Sequence, residues 1–402
     1  MVAHNFRSNR NSILTSRILF VLLVSSLFVS PMFPRIRLDF IPVQARVGSV
    51  PLGIHHIIYL FIVFVFTVAI IPKFDVSRPQ VSLIIVWIVL CLSIVGSGYP
   101  QPDLRTVLSH LAVVAVATAI SIIIQTSKDV QIIHIIYSAY ISGSLVSMWD
   151  ITVFVTPLEV GETTGSLIPF ISRGGIGLPV SSGTHGIVVG MGFVAGLYLL
   201  QQLKNKSSLQ RVVLLMTVFS MLISILISGS RSSLMALLIG ATVFYSYNLL
   251  VLGRKAFLLL SASLTTGLVA VGYTLASLRF KTVFQRLNQN RAAIDLALDH
   301  PLTGVGWQEV FPVYLDKVIH NTPLNYFAAS GIPTGFMFIL TMAYPAFTGV
   351  RMLLSGNGDQ RTILTMLSLW AVVITELMFY KSTPNVYLFV IGITTCLATF
   401  RE

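Results

Sequence analysis

The chain has 402 residues, of which 55% are hydrophobic and only 10% are charged, whereas a soluble globular domain has roughly 25% charged residues. This composition excludes a water-soluble fold. Lys and Arg number 26 against 14 Asp and Glu, a net charge of +12. In so apolar a chain that surplus indicates anionic lipid head groups or an anionic substrate rather than nucleic acid.

Apolar segments of membrane-spanning length recur along the whole chain. Since one crossing needs about 20 apolar residues, we predict about twelve helices, near residues 18–33, 54–72, 81–96, 107–124, 131–151, 184–201, 211–228, 232–252, 256–276, 323–350, 362–380 and 385–400. Clusters of helix-breaking residues fall between them, where irregular backbone can reach water. The predicted fold class is therefore all-α, a polytopic integral membrane protein in which residues 1–402 form one domain.

The basic residues predict the orientation of these helices. Three arginines precede the first apolar segment, which we interpret as a retained helix because no small-residue cleavage site follows Phe33. The short loops on the same side are consistently basic, so both termini are predicted to be cytoplasmic. Two long segments, 152–183 and 278–322, then lie on the outer side, and loops of that length are usually functional or disordered.

The outer segment 278–322 is predicted to contain an amphipathic helix that lies on the membrane surface. Helical spacing places on one face Phe280, Phe284, Leu287, Arg291, Ile294 and Leu298. Arg291 stands where Leu or Ile is expected, whereas Arg286 falls on the opposite face. Arg291 either faces a substrate cavity or forms an ordinary surface pair with Asp295, four residues further on.

A tight turn at residues 228–230 is predicted to hold Arg231 at the outer membrane face. A charge at that depth is costly unless it is paired. Ser232 and Ser233 then open a helix whose N-terminal N–H groups can bind an anion. If Arg231 and Arg291 face the same cavity, their guanidinium groups can hold a pyrophosphate bidentately. The alternative for Arg231 is an interfacial arginine that reaches lipid phosphates.

Two further candidates are His320 and Asn321, which lie where the outer segment 278–322 re-enters the membrane. An imidazole at this position can accept a proton near neutral pH, and the Asn321 amide can orient it or bind substrate hydroxyls. A hydrogen-bonded structural histidine is the alternative. The sequence has no Asp-x-x-Asp pair, His-x-x-x-His helix or phosphate-binding Gly-rich loop, so neither a metal nor a cofactor is predicted.

Four motifs in the second half of the chain together resemble the O-antigen ligase and O-antigen polymerase family of bacterial membrane glycosyltransferases. In chain order they are Ser-Gly-Ser-Arg231, Arg291 followed by Pro301-Leu302-Thr303-Gly304-Val305-Gly306, His320-Asn321, and Gly331-x-x-x-Gly335. The predicted spans and the late periplasmic loop extend the similarity to the whole chain. Family members commonly have an acidic residue just before the first glycine of the last motif, where this chain has Ser330.

The resemblance implies a metal-independent, inverting glycosyltransferase of the bacterial inner (plasma) membrane. It would move a glycan from undecaprenyl pyrophosphate to a hydroxyl acceptor, either lipid A-core for a ligase or a growing glycan for a polymerase. Arg231 and Arg291 would bind and neutralise the pyrophosphate, and His320 would position or deprotonate the acceptor hydroxyl. Other predicted contacts to sugar or phosphate around this cavity are Arg173, Arg286 and Asn321.

A secondary transporter or lipid-linked glycan flippase is the alternative function, because about twelve spans with both termini inside is also a common transporter layout. The polar residues gather in one periplasmic loop, and intramembrane acids are scarce, with Glu376 the clearest. That asymmetry favours surface chemistry. An ionisable group within a span is nonetheless a functional candidate, and Glu376 either pairs with Lys381, faces the cavity, or is a neutral structural residue.

Overall fold

The described part of the chain is almost entirely helical. The computed structural model describes residues 2–29, 45–47, 50–52, 104–126, 130–155, 182–203, 207–228, 230–251, 280–306, 321–356, 359–379, 390–392 and 395. Its only strands in these ranges are β1 (Ala45–Val47) and β2 (Val50–Leu52), which pair antiparallel. The predicted helical fold class is confirmed for the rest of these residues.

The helices in this part are, in chain order, α1 (Val2–Val29), α2 (Leu104–Thr126), α3 (Ile133–Val155), α4 (Ser182–Gln202), α5 (Ser208–Ile227), α6 (Arg231–Val251), α7 (Phe280–Asp299), α8 (Thr322–Ser355) and α9 (Gln360–Phe379). Four contain segments long and apolar enough to cross a membrane, namely Thr184–Gln202 of α4, α5, α8 and α9. The predicted spans near 54–72, 81–96 and 256–276 lie outside the described residues, as does most of 385–400.

Helix α5 has an apolar outer surface that suits a lipid environment. Side chains more than half exposed on it are Leu209, Val212, Val213, Leu215, Met216, Phe219 and Leu226. Soluble monomers rarely expose so large an apolar surface, whereas lipid tails are as apolar as leucine and solvate it without cost. The exposed face of α5 therefore identifies it as a helix at the periphery of a membrane bundle.

Helix α4 lies at the centre of the bundle, in contact with α3, α5, α6 and α9. Its closest neighbour is α3, because Gly143 and Gly192 meet without side chains between them. A Cβ on Gly192 would lie only 2.6 Å from the Cα of Gly143. Small residues at such a contact let membrane helices pack backbone to backbone, where van der Waals contact drives association.

The substitution Gly192→Ala is expected to lower the free energy of unfolding by about 1–3 kcal/mol, since the added methyl group must push two helix backbones apart. A thermal unfolding curve of the protein in detergent measures this loss. The matched control is Gly190→Ala, where the nearest atom to the new Cβ is a Val372 methyl group at 2.9 Å, and a side chain can rotate away. Equal losses in the two variants would contradict the backbone contact as the cause.

Helix α8 is broken at Gly331, whose φ of 84° and ψ of 171° are not helical. In a continuous helix the rings of Tyr326 and Phe338 would be about 18 Å apart along the axis. They stack instead with centroids 4.0 Å apart, so the segment 322–330 runs back against the start of the segment 332–355. The sequence predicted one uninterrupted span over 323–350, and that prediction was wrong at Gly331.

Candidate functional site

Polar side chains converge at one end of the helix bundle. Helix α4 begins at this end, and so does α6, while α3, α5 and α9 end there. Two contacts of α4 show that these helix ends lie side by side. His185 reaches Asp150 near the end of α3, and Gly186 packs against Ser233 of α6 and Glu376 of α9. We take this end of the bundle as the candidate site.

Arg231 stands at the start of α6, as predicted from the tight turn before it. Helix α5 ends at Ile227 and α6 begins at Arg231, whose side chain is half-buried. Ser230 forms the N-cap, since its Oγ accepts the backbone N–H of Ser233 at 3.3 Å and the Ser233 hydroxyl at 2.7 Å. The partial positive charge of a helix N-terminus adds to that of the guanidinium and favours an anion here.

Glu376 lies next to this helix start and is fully buried in the last turn of α9. The hydroxyls of Ser232 and Ser233 approach its carboxylate without reaching ordinary hydrogen-bond geometry. Gly186 closes the other side, because a Cβ there would overlap both Ser233 Oγ and Glu376 Oε1. Glu376 thus lies buried beside the first turn of α6, and its pairing with Lys381 is untested because Lys381 lies outside the described residues.

Asn321 also contacts the last turn of α9. Its Oδ1 caps α8 by accepting the N–H of Leu324 at 3.0 Å, and its Nδ2 donates to the carbonyl of Met378 at 3.4 Å. Asn321 and the first turn of α6, which Arg231 opens, are far apart in the sequence and both lie beside the α9 end that carries Glu376. His320 precedes Asn321 but lies outside the described residues, and so does Arg173.

Two of the sequence motifs pair through their backbones. The turn 301–306 packs onto the break in α8 through three N–H···O bonds of 2.8–2.9 Å, which run from Val305 to Ala328, from Gly306 to Ala329 and from Ile332 to Pro301. Both segments need glycine at the contact, because Gly304 has φ 65° and Gly331 has φ 84°. A Cβ on Gly331 would lie 2.5 Å from the carbonyl oxygen of Leu302.

Helix α7 confirms the helix predicted within residues 278–322. It contacts α8, and its buried residues are Gln289, Ala293, Leu296 and Ala297. The predicted apolar face is exposed, with Phe284, Leu287, Ile294 and Leu298 between 47% and 63% accessible. Arg291 lies exposed on that face, and Arg286 is exposed as well. Between the two described residues Arg291 and Asp295 no ion pair forms, so the predicted surface pair is not found.

The sequence alone did not reveal a buried cluster of Asp150, His185 and Ser224. The Nε2 of His185 lies 2.5 Å from Asp150 Oδ2 and 3.2 Å from Ser224 Oγ, and the Ser224 hydroxyl donates to the same Asp150 oxygen. All three residues are at most 1% exposed. The expectation that Glu376 is the clearest intramembrane acid is corrected, since Asp150 is buried to a similar degree.

Metal-binding geometry is not found in the described ranges, where no three His, Cys, Asp or Glu side chains come close enough to hold an ion. No protein-family model matches the sequence, and no protein of curated function matches it. The function is therefore inferred from the motifs and from the geometry of the site.

Proposed function

We propose that the chain is a membrane glycosyltransferase that moves a glycan from undecaprenyl pyrophosphate to a hydroxyl acceptor on the periplasmic face, as a surface-polysaccharide ligase or polymerase. The proposal starts from the resemblance of the four motifs. The observation that carries it is the shared neighbourhood of Arg231 and Asn321 at the last turn of α9. A site assembled from separated motifs at one bundle end suits a lipid-linked substrate whose reacting group lies at the membrane surface.

In the proposed reaction, this site must stabilise pyrophosphate as the leaving group. As the anomeric carbon bonds to the acceptor oxygen, the carbon–oxygen bond to pyrophosphate breaks and negative charge grows on the phosphate. A guanidinium group and a helix N-terminus aimed at that charge lower the barrier without a metal ion. Arg231 supplies a guanidinium at the helix N-terminus, and we propose that Arg291 supplies a second guanidinium. The resemblance implies that His320 positions or deprotonates the acceptor hydroxyl.

The distribution of charge supports a periplasmic location for the site. Arg211, at the start of α5, and Arg351 and Arg361, on either side of the α8–α9 turn, lie at the opposite end of the bundle and are exposed. Basic residues in short loops favour the cytoplasmic side. The end that carries Arg231, Glu376 and the cluster around His185 is therefore the outer end in the proposed topology, with both chain termini inside.

A transporter remains the second candidate, and one observation favours it. Buried ionisable groups in a membrane bundle often mark ion pathways, and the structure has Asp150, His185 and Glu376 in that setting. These residues lie within two turns of the helix ends, whereas transporter sites usually lie at the midplane between two repeats. Their depth favours transfer at the surface over alternating access.

A deletion strain distinguishes these functions through its surface glycans. Loss of a polymerase is expected to leave single capped repeats, and loss of a ligase is expected to leave long lipid-linked chains that never reach the surface. Purified protein in liposomes is expected to transfer the glycan to its acceptor in the presence of EDTA, because the proposed mechanism needs no metal ion. A strain whose lipid-linked glycans stay on the cytoplasmic side would indicate a flippase and contradict the proposal.

The substitution Arg291→Ala is expected to reduce glycan transfer by a factor of about 10² or more, because it removes one guanidinium from the leaving group. Transfer by the purified variant in liposomes measures the loss. Asp295→Ala, one turn away on the same exposed side of α7, is the matched control and is expected to keep full activity. If both variants lose activity equally, a general disturbance of α7 is the cause and Arg291 has no specific role.

A further inference from the structure

The cluster of Asp150, His185 and Ser224 joins three helices at the end of the bundle that carries Arg231. Its hydrogen bonds converge on a single atom, since both His185 Nε2 and the Ser224 hydroxyl meet Oδ2 of Asp150. A carboxylate buried among helices is stable only when charge-assisted hydrogen bonds of this kind compensate the loss of water. Two hydrogen bonds thus reach Oδ2 of Asp150, whereas its Oδ1 is buried without a hydrogen-bond partner among the described residues.

The same geometry assigns the two nitrogens of His185 different roles. We assign the hydrogen to Nε2, because its nearest partner is Oδ2 of Asp150, the carboxyl oxygen that already accepts the Ser224 hydroxyl. Nδ1 is the nitrogen at which the charge state changes, and it is fully buried without a hydrogen-bond partner in the described part of the chain. An imidazole held by a carboxylate at one nitrogen is set up to take or release a proton at the other.

The net charge of the cluster depends on that proton. With Nδ1 bare, Asp150 leaves one uncompensated negative charge inside the bundle. With Nδ1 protonated, Asp150 and the His185 imidazolium form a neutral pair. A proton on Nδ1 would therefore convert a buried negative charge into a hydrogen-bonded pair, the less costly of the two to bury.

The groups that face the cluster are few. Helix α3 contributes Asp150 and α5 contributes Ser224, both in direct contact with His185. On the far side of α4, Gly186 separates His185 from Ser233 of α6 and Glu376 of α9. Glu376 is the one other titratable side chain of the described residues that the structure places against this part of α4, so its effect must be separated by experiment.

We propose that Asp150, His185 and Ser224 form a buried proton-binding site at the outer end of the bundle, in which Nδ1 of His185 takes the proton. The site goes beyond the proposed glycosyl transfer and does not depend on it. The proton changes the charge of the cluster at His185. The next residue, Gly186, packs against Ser233, which lies in the first turn of α6, the helix that Arg231 opens. Proton uptake is thereby placed next to the predicted anion site.

The test is a pH titration of the histidine nitrogens by solid-state NMR, on full-length protein labelled with ¹⁵N-histidine in lipid bilayers. His185→Gln identifies the His185 signals among those of the 8 histidines. The pH is varied over the range in which the protein stays folded, and we expect Nε2 to keep its hydrogen throughout and Nδ1 to gain one as the pH falls. A His185 that holds one protonation state across this range would overturn the proposal, as would an Nε2 without hydrogen.

Variants separate the counter-charge from the neighbouring groups. Asp150→Asn removes the negative charge and is expected to abolish proton uptake at Nδ1 in this range, whereas Asp150→Glu should retain it. Glu376→Gln should leave the titration in place, which excludes Glu376 as its origin. An unchanged titration in a folded Asp150→Asn protein would overturn the proposal. If that variant does not fold, the wild-type titration together with Asp150→Glu and Glu376→Gln decides the matter.

Discussion

The substitution Arg231→Ala is expected to lower the rate of glycan transfer by a factor of about 10²–10³, the loss typical of removing one preorganised donor to a developing negative charge. The guanidinium is half-buried in the first turn of α6, where water cannot replace it fully. The rate of transfer by purified protein in liposomes, measured over a range of lipid-linked donor concentrations, gives kcat and KM separately. The loss is expected mainly in kcat.

Two variants test the specificity of that result. Arg231→Lys keeps the charge but loses the planar, bidentate group, so intermediate activity is expected. Arg211→Ala removes an arginine from the opposite end of the bundle, where its Nε donates to the carbonyl of Leu203, and activity should be unchanged. Near-normal transfer by Arg231→Ala would remove this residue from the mechanism.

The substitution Gly331→Ala is expected to lower the free energy of unfolding by about 3 kcal/mol, because two costs add. The backbone at Gly331 has φ 84° and ψ 171°, a conformation that is strained for any residue with a Cβ. The new methyl group would also lie 2.5 Å from the carbonyl oxygen of Leu302, so the turn 301–306 must move away. Thermal unfolding in detergent measures the stability, and a transfer assay shows whether the site depends on the junction.

Gly356→Ala is the control for the steric part of this loss. Gly356 also has a positive φ, at 73°, but the atom nearest to its new Cβ is Gln360 Nε2 at 3.8 Å. This variant therefore carries the backbone cost alone, about 1–2 kcal/mol. If both variants lost the same stability, the packing of Gly331 against Leu302 would contribute nothing.

Helix positions were predictable from the sequence because a crossing must bury about 20 consecutive apolar residues, a signal that survives without knowledge of packing. The span predicted at 362–380 is α9, Gln360–Phe379, and the span predicted at 184–201 is α4, Ser182–Gln202. Arg231 was found for a similar reason, since a short polar turn between two apolar runs leaves little choice of position.

The break in α8 and the buried cluster were not predictable in this way. Hydropathy averages over many residues and stays high on both sides of Gly331, so it does not register one non-helical φ; the nearby Pro333 was the available signal. Asp150, His185 and Ser224 come from three helices, and each looks like an isolated polar residue in an apolar run. Only the antiparallel packing of α3 on α4 shows that they meet.

The hairpin shape of α8 also determines how deep the site lies. Its short arm, 322–330, is about 14 Å long at 1.5 Å per residue, less than half of the hydrocarbon thickness. Asn321, beside the last turn of α9, lies at one end of this arm. Gly331, packed against the turn 301–306, lies at the other end. The junction is thus separated from the contact between Asn321 and α9 by the length of the short arm; in the proposed transfer, an acceptor would have to reach past this junction, whereas a lipid-linked donor could approach from the side.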